Sequence, residues 1–485
     1  MTRTFLCAVL AALAVPALAL AFPNTEPLGP QQWYLEQDRA WDFWPQQPTL
    51  KTVKVAVIDS GIDYGHPEFA GRIVAGRSFV GGTWKRDTDG HGTFVAGIIA
   101  ADPANGQGIA GMAFNAQLLI AKVVPPDESG VNLTAEADAI RWSVREGAQV
   151  INLSLGGNRD PQDPRIDTYS PLERAAIEYA VSKGVVVVAA AGNGTEAPSM
   201  PWPYADYPAA LPHVLGVGAL REDGSVPEYS NRDPVYVDIA APGDGIVSTI
   251  PRNLVDATQP NCADVPYSTC GPTEFRDAIG TSFAAPQVAA AAALVLGVDP
   301  HLTADQVVWL LERSARDMSA ADGCPQCPLG RDSLTGWGRV DVAHALEMLQ
   351  RHVALPRPDP YLPNDDAGAE AYPLPAPRTI TNTLDYWDDP VNVFSLRLRK
   401  GERLYARLSP STRGAAGLEL WKPGTQHVDV ASSVGDVAAT GVSIAGQKRI
   451  TYVVPATGAY YVEVKFLPPA RPLITYTLSL ATKTP

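Results

Sequence analysis

The chain has 485 residues, too many for one ordinary hydrophobic core, so two domains are expected. Hydrophobic residues make up 46% and charged residues 19%, the balance of a globular protein, with a net charge of −14. That acidic excess argues against a nucleic-acid or anionic-membrane surface, where Lys and Arg would have to dominate, so neither partner is expected.

Residues 1–21 read as a secretory signal. Arg3 gives a positive start, Phe5 to Leu20 an apolar run, and Ala19-Leu20-Ala21 a small-residue cleavage site that leaves Phe22 as the mature start. The run is short and broken by Pro16, which disfavours a membrane anchor. Export to the extracellular space or periplasm is expected. Cys262, Cys270, Cys324 and Cys327 lie beyond this segment, and an even count in an exported chain favours disulfides. Local pairing, Cys262 with Cys270 and Cys324 with Cys327, is the simplest of the three connectivities. Cys324-Pro325-Gln326-Cys327 sits in a Gly/Pro-rich loop, which favours a structural bridge over a redox motif.

Across residues 22–350, nearly continuous β-branched runs alternate with amphipathic segments. Val53–Ile58, Leu118–Val124, Val150–Leu153 and Val185–Ala190 read as strands buried on both faces. Thr134–Glu146 carries an apolar face. Ser170-Pro171-Leu172-Glu173 starts a helix that runs to about Lys183 and stops at Gly184, and Thr303-Ala304-Asp305-Gln306 starts another. This alternation predicts an α/β domain with a parallel sheet. Residues 351–377 are rich in proline and acidic groups and read as a linker. Residues 378–485 carry short alternating runs, Val391–Leu398, Glu402–Leu408, Tyr460–Val464 and Thr475–Leu480, which fit a small all-β sandwich.

Three short motifs carry the chemistry. Asp59-Ser60-Gly61 follows a buried strand, His91-Gly92-Thr93 opens a helix, and Ser282 in Gly280-Thr281-Ser282-Phe283-Ala284-Ala285-Pro286 opens an alanine-rich one. Ligands of open α/β sheets bind at the carboxyl ends of strands, so all three are expected on one edge. A serine hydroxyl is a weak nucleophile until a base takes its proton, and the base works when a carboxylate orients it. Asn193, after Ala189-Ala190-Ala191-Gly192, would add an amide donor for the oxyanion of acyl transfer. Ser154-Leu155-Gly156-Gly157 would offer backbone to an extended peptide. Each motif alone is an ordinary turn; their joint order is hard to obtain by chance.

In these motifs the region from about Gln32 to Leu349 resembles the subtilisin-like serine proteases, the subtilases. The resemblance implies a three-layer α/β fold with a mainly parallel sheet and endopeptidase activity on protein or peptide substrates. Carried over by position, Asp59 orients, His91 is general base then acid, Ser282 is the nucleophile, Asn193 serves the oxyanion hole and Ser154 to Gly157 bind substrate. Asp206, before Tyr207-Pro208-Ala209, aligns with the base of the primary specificity pocket, where it would favour Lys or Arg; a solvated loop aspartate is the other reading. No catalytic cofactor is implied. A structural calcium ion is, through Gln32, Glu68 and Asn105, against the alternative of ordinary polar loop residues. Asp87 and Asp89, near His91, are expected to be solvated loop residues, against the alternative that they are further ligands. Phe94 stands where many members carry a second histidine. Secreted members usually carry a propeptide. None is legible between Phe22 and Gln32, so folding without one, or with another segment in its place, is expected. A monomer is expected.

The C-terminal block resembles, more loosely, the pre-peptidase C-terminal domains of secreted proteases, through Asn364-Asp365-Asp366, Asp385-Tyr386-Trp387-Asp388-Asp389 and Gly458-Ala459-Tyr460-Tyr461-Val462. Calcium among Asp365, Asp388 and Asp389 has no further support in the sequence. Two other readings stay open: an inactive scaffold, which the complete triad opposes, and a binding protein acting through its β domain. An esterase is disfavoured because Ser282 lacks the Gly-x-Ser-x-Gly context.

Overall fold

A computed structural model describes residues 24–125, 130–195, 197–255, 273–428, 435–467 and 473–484. The signal-like segment and the expected Cys262–Cys270 pair lie outside the described residues. Cys324 and Cys327 are disulfide-bonded.

After a short helix α1 (Trp33–Gln37), the chain supplies β1 (Val53–Asp59), β2 (Ile73–Ser78), β3 (Ala116–Lys122), β4 (Val150–Leu153), β5 (Val186–Ala190), β6 (Val214–Leu220) and β7 (Ile239–Pro242). They form one sheet in the order β2-β3-β1-β4-β5-β6-β7, with every pairing parallel. Alternation along each strand feeds two cores. Val55, Val57, Leu118, Ile120 and Val188 face α2 (His91–Ala100), α5 (Thr281–Val298), α6 (Ala304–Ser314) and α7 (Val342–Gln350). Ala56, Ile58, Leu119, Ile151 and Val187 face α3 (Leu133–Arg145) and α4 (Pro171–Val181). Burial on both faces is why these strands are apolar throughout rather than alternating.

The helix starts follow local chemistry. Ser170 Oγ accepts from Glu173 N at 3.3 Å, and Thr303 and Gln306 form a reciprocal capping box. Thr281–Val298 is long and apolar enough to cross a membrane, but it is almost wholly buried as the central core helix. An antiparallel hairpin, β8 (Asp244–Thr249) with β9 (Phe275–Ile279), leads directly into it.

The C-terminal unit is a sandwich of two five-stranded sheets around one core. Strands β10 (Tyr372–Pro373), β12 (Val391–Leu398), β14 (Ala416–Trp421), β15 (Val437–Thr440) and β18 (Gly458–Phe466) form one sheet. Strands β11 (Arg378–Asp385), β13 (Arg403–Pro410), β16 (Val442–Ile444), β17 (Gln447–Val453) and β19 (Leu473–Lys483) form the other. The latter half of segment 351–377 is packed rather than extended. Asn364, Asp365 and Asp366 are buried and β10 pairs with β12. Arg174 of α4 holds Asp366 at 3.3 Å and Glu370 at 3.1 Å, so ion pairs tie this segment to the α/β domain.

Candidate active site

Asp59 is the last residue of β1, His91 the first of α2, Ser154 follows β4, Asn193 follows β5, and Ser282 is the second residue of α5. The parallel sheet therefore delivers all of them to its carboxyl edge, where such folds bind ligands.

The α2 amino end is built around Asp87, a residue expected to be solvated but fully buried. Its Oδ1 accepts from Gly90 N (2.8 Å) and Ser60 Oγ (2.9 Å), and its Oδ2 from Thr93 N (2.9 Å) and Thr93 Oγ1 (2.7 Å). Gly92 N in turn donates to Ser60 Oγ at 2.8 Å. One carboxylate thus satisfies two of the orphan N–H groups at the helix start, those of Gly90 and Thr93, and locks the turn to the loop carrying Asp59. Asp87 is the functional residue that the motif reading missed. Its signal is a carboxylate placed just before a helix start. The close fit also requires a glycine at 92, since a Cβ there would stand 2.4 Å from the Gly61 carbonyl.

With both segments fixed, His91 Nδ1 lies 2.9 Å from Asp59 Oδ1 and 3.0 Å from Oδ2. A carboxylate only accepts, so Nδ1 carries the proton and Nε2 is left as the base. Burial pulls the imidazole pKa down, but Asp59, with Asp89 and Asp87 behind it, more than offsets this and raises it to about 9. Asp89 itself accepts from His91 N at 3.0 Å. The His91 ring rests against Phe283 at 5.4 Å, which packs on Phe94 at 4.6 Å. Phe94 is therefore core, with no share in the chemistry.

Ser282 Oγ donates to the Ser154 carbonyl at 3.3 Å, and Ser154 Oγ donates to the Ser282 carbonyl at 2.7 Å. Asn193 Oδ1 accepts from Thr281 N (2.8 Å) and Thr281 Oγ1 (3.0 Å). An amide whose oxygen faces an N–H must present its nitrogen on the other side, which fixes Asn193 as a donor. Leu155, Gly156, Gly157, Asn193, Asp206, Thr281 and Ser282 line one cavity of about 190 Å³. Gly157 pairs with Tyr207 as an antiparallel bridge. Added Cβ atoms at Gly156 and Gly157 would meet the Tyr207 carbonyl at 2.7 Å and Thr168 Oγ1 at 2.5 Å.

Asp206 is half-buried. It lines the Ser282 cavity, and its Oδ1 accepts from Asn231 Nδ2 at 3.0 Å. Its Oδ2 lies where a Cβ on Gly192 would be, at 2.1 Å, so the glycine makes room for the carboxylate.

The three residues expected at a calcium site are only partly brought together. Asn105 Nδ2 donates to Glu68 Oε2 at 3.0 Å, while its Oδ1 accepts from Gln107 N at 2.8 Å. Gln32 is a strut instead of a ligand. Its Oε1 accepts from Ala110 N (2.8 Å) and Asn24 Nδ2 (2.7 Å), and its Nε2 donates to the Ala110 carbonyl (2.8 Å) and Tyr34 Oη (2.7 Å). The buried N–H of Ala110 needs that oxygen, which withdraws it from any ion. Among the described residues, Glu68 Oε1 and Glu26 Oε2 are buried without a hydrogen bond, and burial raises the Glu68 pKa to about 7. The oxygens that suit a hard cation here belong to Glu68 and Glu26.

Asp365 and Asp388 do not share a site. The first joins Glu178 and His213, and the second joins Asp238 and Glu312.

Comparison with known proteins gives the family. A family model described as the subtilase family matches residues 50–338. A thermophilic serine proteinase of Bacillus sp. (strain AK1) is 37% identical over 268 residues, 55% of this chain and 56% of that protein. The match therefore spans little more than half of that relative's length. The major intracellular serine protease of Bacillus subtilis (strain 168) is 34% identical over 262 residues, 53% of this chain and 72% of that protein. Among solved structures, a protease from Pseudoalteromonas arctica PAMC 21717 superimposes with a TM-score of 0.53 at 27% identity, covering 67% of this chain and 99% of that one.

Proposed function

Because the chain belongs to the subtilase family, we propose that it is an exported serine endopeptidase that cleaves peptide bonds through an acyl-enzyme on Ser282. The observation that carries this reading is the Asp59–His91 pair at 2.9 and 3.0 Å, on the same sheet edge as a cavity that holds both Ser282 and Asn193.

In the first step the Ser282 Oγ–H proton passes to His91 Nε2 as Oγ bonds the substrate carbonyl carbon. The charge that develops on the carbonyl oxygen meets the Asn193 amide at the amino end of α5. His91, now an imidazolium held by Asp59, returns the proton to the leaving amine as the C–N bond breaks. Water then enters, gives a proton to His91 and releases the acid, restoring the Ser282 hydroxyl. Asp59 orients and stabilises the ring without itself being protonated.

Asp206 supports a preference for Lys or Arg beside the scissile bond, since its carboxylate lines the cavity next to Ser282. Backbone of residues 154–157 would hold the substrate as an extended strand. A structural calcium ion would be held by Glu68 and Glu26, where it would neutralise two buried carboxylates. The protein acts as a monomer, and the β sandwich contributes stability rather than catalysis.

The direct test compares casein hydrolysis by the wild type and Ser282→Ala. Loss of roughly 10⁶-fold in kcat supports the assignment. Retention of activity beyond the small residue left by binding and the oxyanion hole would refute it.

A further inference from the structure

Glu178, His213 and Asp365 converge in the seam between the two domains, at the sheet edge opposite Ser282. Glu178 lies near the end of α4, His213 immediately precedes β6, and Asp365 comes from segment 351–377. One ligand atom of each lies within 4.8 Å of the others, and the residues are only 2%, 9% and 4% exposed. Both Glu178 carboxylate oxygens and Asp365 Oδ2 are buried with no hydrogen-bond donor among the described residues. Asp365 Oδ1 faces His213 Nε2 at 3.2 Å, and the remaining buried carboxylate oxygens are costly unless a cation or a proton compensates them. The neighbouring cation, Arg174, pairs directly with Asp366 and Glu370 and donates to the Asp365 carbonyl at 3.1 Å; it acts on Glu178 through space, without a hydrogen bond. His213 also has a backbone φ of +60°, an uncommon conformation for a non-glycine residue and one that clusters at ligand clamps.

We propose that Glu178, His213 and Asp365 bind a divalent transition-metal ion of zinc's class that fastens the C-terminal segment to the α/β domain. The donor set distinguishes the metal. Calcium takes oxygen ligands, whereas an imidazole nitrogen with two carboxylates suits zinc. The spacing agrees as well. Two ligands about 2.1 Å from a tetrahedral ion stand roughly 3.4 Å apart, and His213 Nε2 is 3.2 Å from Asp365 Oδ1. On the other side of the ring, His213 Nδ1 lies 3.7 Å from Asp305 Oδ1. A carboxylate on the far nitrogen is the arrangement that orients a ligating histidine toward its metal. The second acidic cluster, Asp238, Glu312 and Asp388, offers no such set. It has no imidazole, and Asp238 is already paired with Arg331 at 2.9 Å.

The test uses the full chain, stripped with a chelator and equilibrated with Zn²⁺ alone or Ca²⁺ alone, followed by metal analysis and thermal unfolding. The site predicts about one tightly held zinc per chain and a Tm raised by Zn²⁺. Both effects are lost in His213→Gln and Glu178→Gln, in which casein cleavage is unchanged, and both are kept in Glu68→Gln. Should either variant fail to fold, the Co²⁺-loaded wild type decides. Visible absorption of four-coordinate cobalt supports the site, and the weak spectrum of hydrated cobalt overturns it. Zinc content in the wild type no higher than in His213→Gln would also overturn it. The cluster would then be a protonated histidine beside two carboxyls that share a proton.

Discussion

Thr281 gives Asn193 Oδ1 two hydrogen bonds, one from its backbone N–H at 2.8 Å and one from its hydroxyl at 3.0 Å. Thr281, next to Ser282, thus aims the Asn193 amide. Asn193→Ala should lower kcat by roughly 10²–10³-fold with little change in KM, a magnitude taken from oxyanion holes of this kind rather than derived from this geometry. Thr281→Val keeps the N–H bond and loses the hydroxyl, so its kcat should fall less than that of Asn193→Ala. Steady-state kinetics on one peptide substrate measures both. Equal losses would mean that the hydroxyl has some other task.

The His91 environment sets the pH profile. Catalysis requires the neutral ring, and the surrounding carboxylates raise its pKa to about 9, against the ordinary 6.5. The activity of the free enzyme, kcat/KM, should therefore rise along a limb well above the usual histidine range. Asp89→Asn keeps an acceptor for His91 N and removes one negative charge, so the limb should move to lower pH. A midpoint unmoved by this change would show that Asp89 is screened by solvent.

Asp206 places a carboxylate in the wall of the substrate cavity. Arginine-containing chromogenic peptides should be cleaved faster than phenylalanine ones, and Asp206→Ser should reduce or reverse that ratio. The ratio of kcat/KM values for the two peptides is the measurement. Equal wild-type rates would remove Asp206 from specificity.

Glu68 is expected to couple stability to pH and to calcium. Burial raises its pKa to about 7, above the ordinary carboxylate value near 4.3. The folded state therefore holds the proton more tightly than the unfolded one. Its contribution is present below the unfolded value and is lost as pH rises through 7. In a chelator, Tm should fall between about pH 5 and 8, and Glu68→Gln should fall less steeply. Calcium should restore the wild type at pH 8 and leave the variant unchanged. A Tm with the same pH dependence in both proteins would contradict this.

Much of the fold can be read from the sequence because buried parallel strands are apolar throughout. Val53–Ile58 and Val185–Ala190 declare themselves by their β-branched runs. Strands β2, β6 and β7 do not. Ile73–Ser78 is a half-buried edge strand in which Gly76 yields space to the Trp84 ring, where a Cβ would stand at 2.4 Å. Glycines thin the pattern of Val214–Leu220, and Ile239–Pro242 is only four residues long. The triad positions are legible because each sits in a local motif. Asp87 is harder to see, because its role depends on three partners that fold around it. Proline and acidic content suggested a linker around Asp365, but His213 and Arg174, distant in sequence, bury that segment.

The central claim is that Ser282 is the nucleophile and His91 its base. The most direct measurement is mass-spectrometric mapping of the adduct formed with a serine-directed sulfonyl fluoride, alongside loss of casein cleavage. One adduct on Ser282, abolished in His91→Ala and tracking the lost activity, is the predicted result. An adduct on another serine, or full activity with Ser282 modified, would contradict the account.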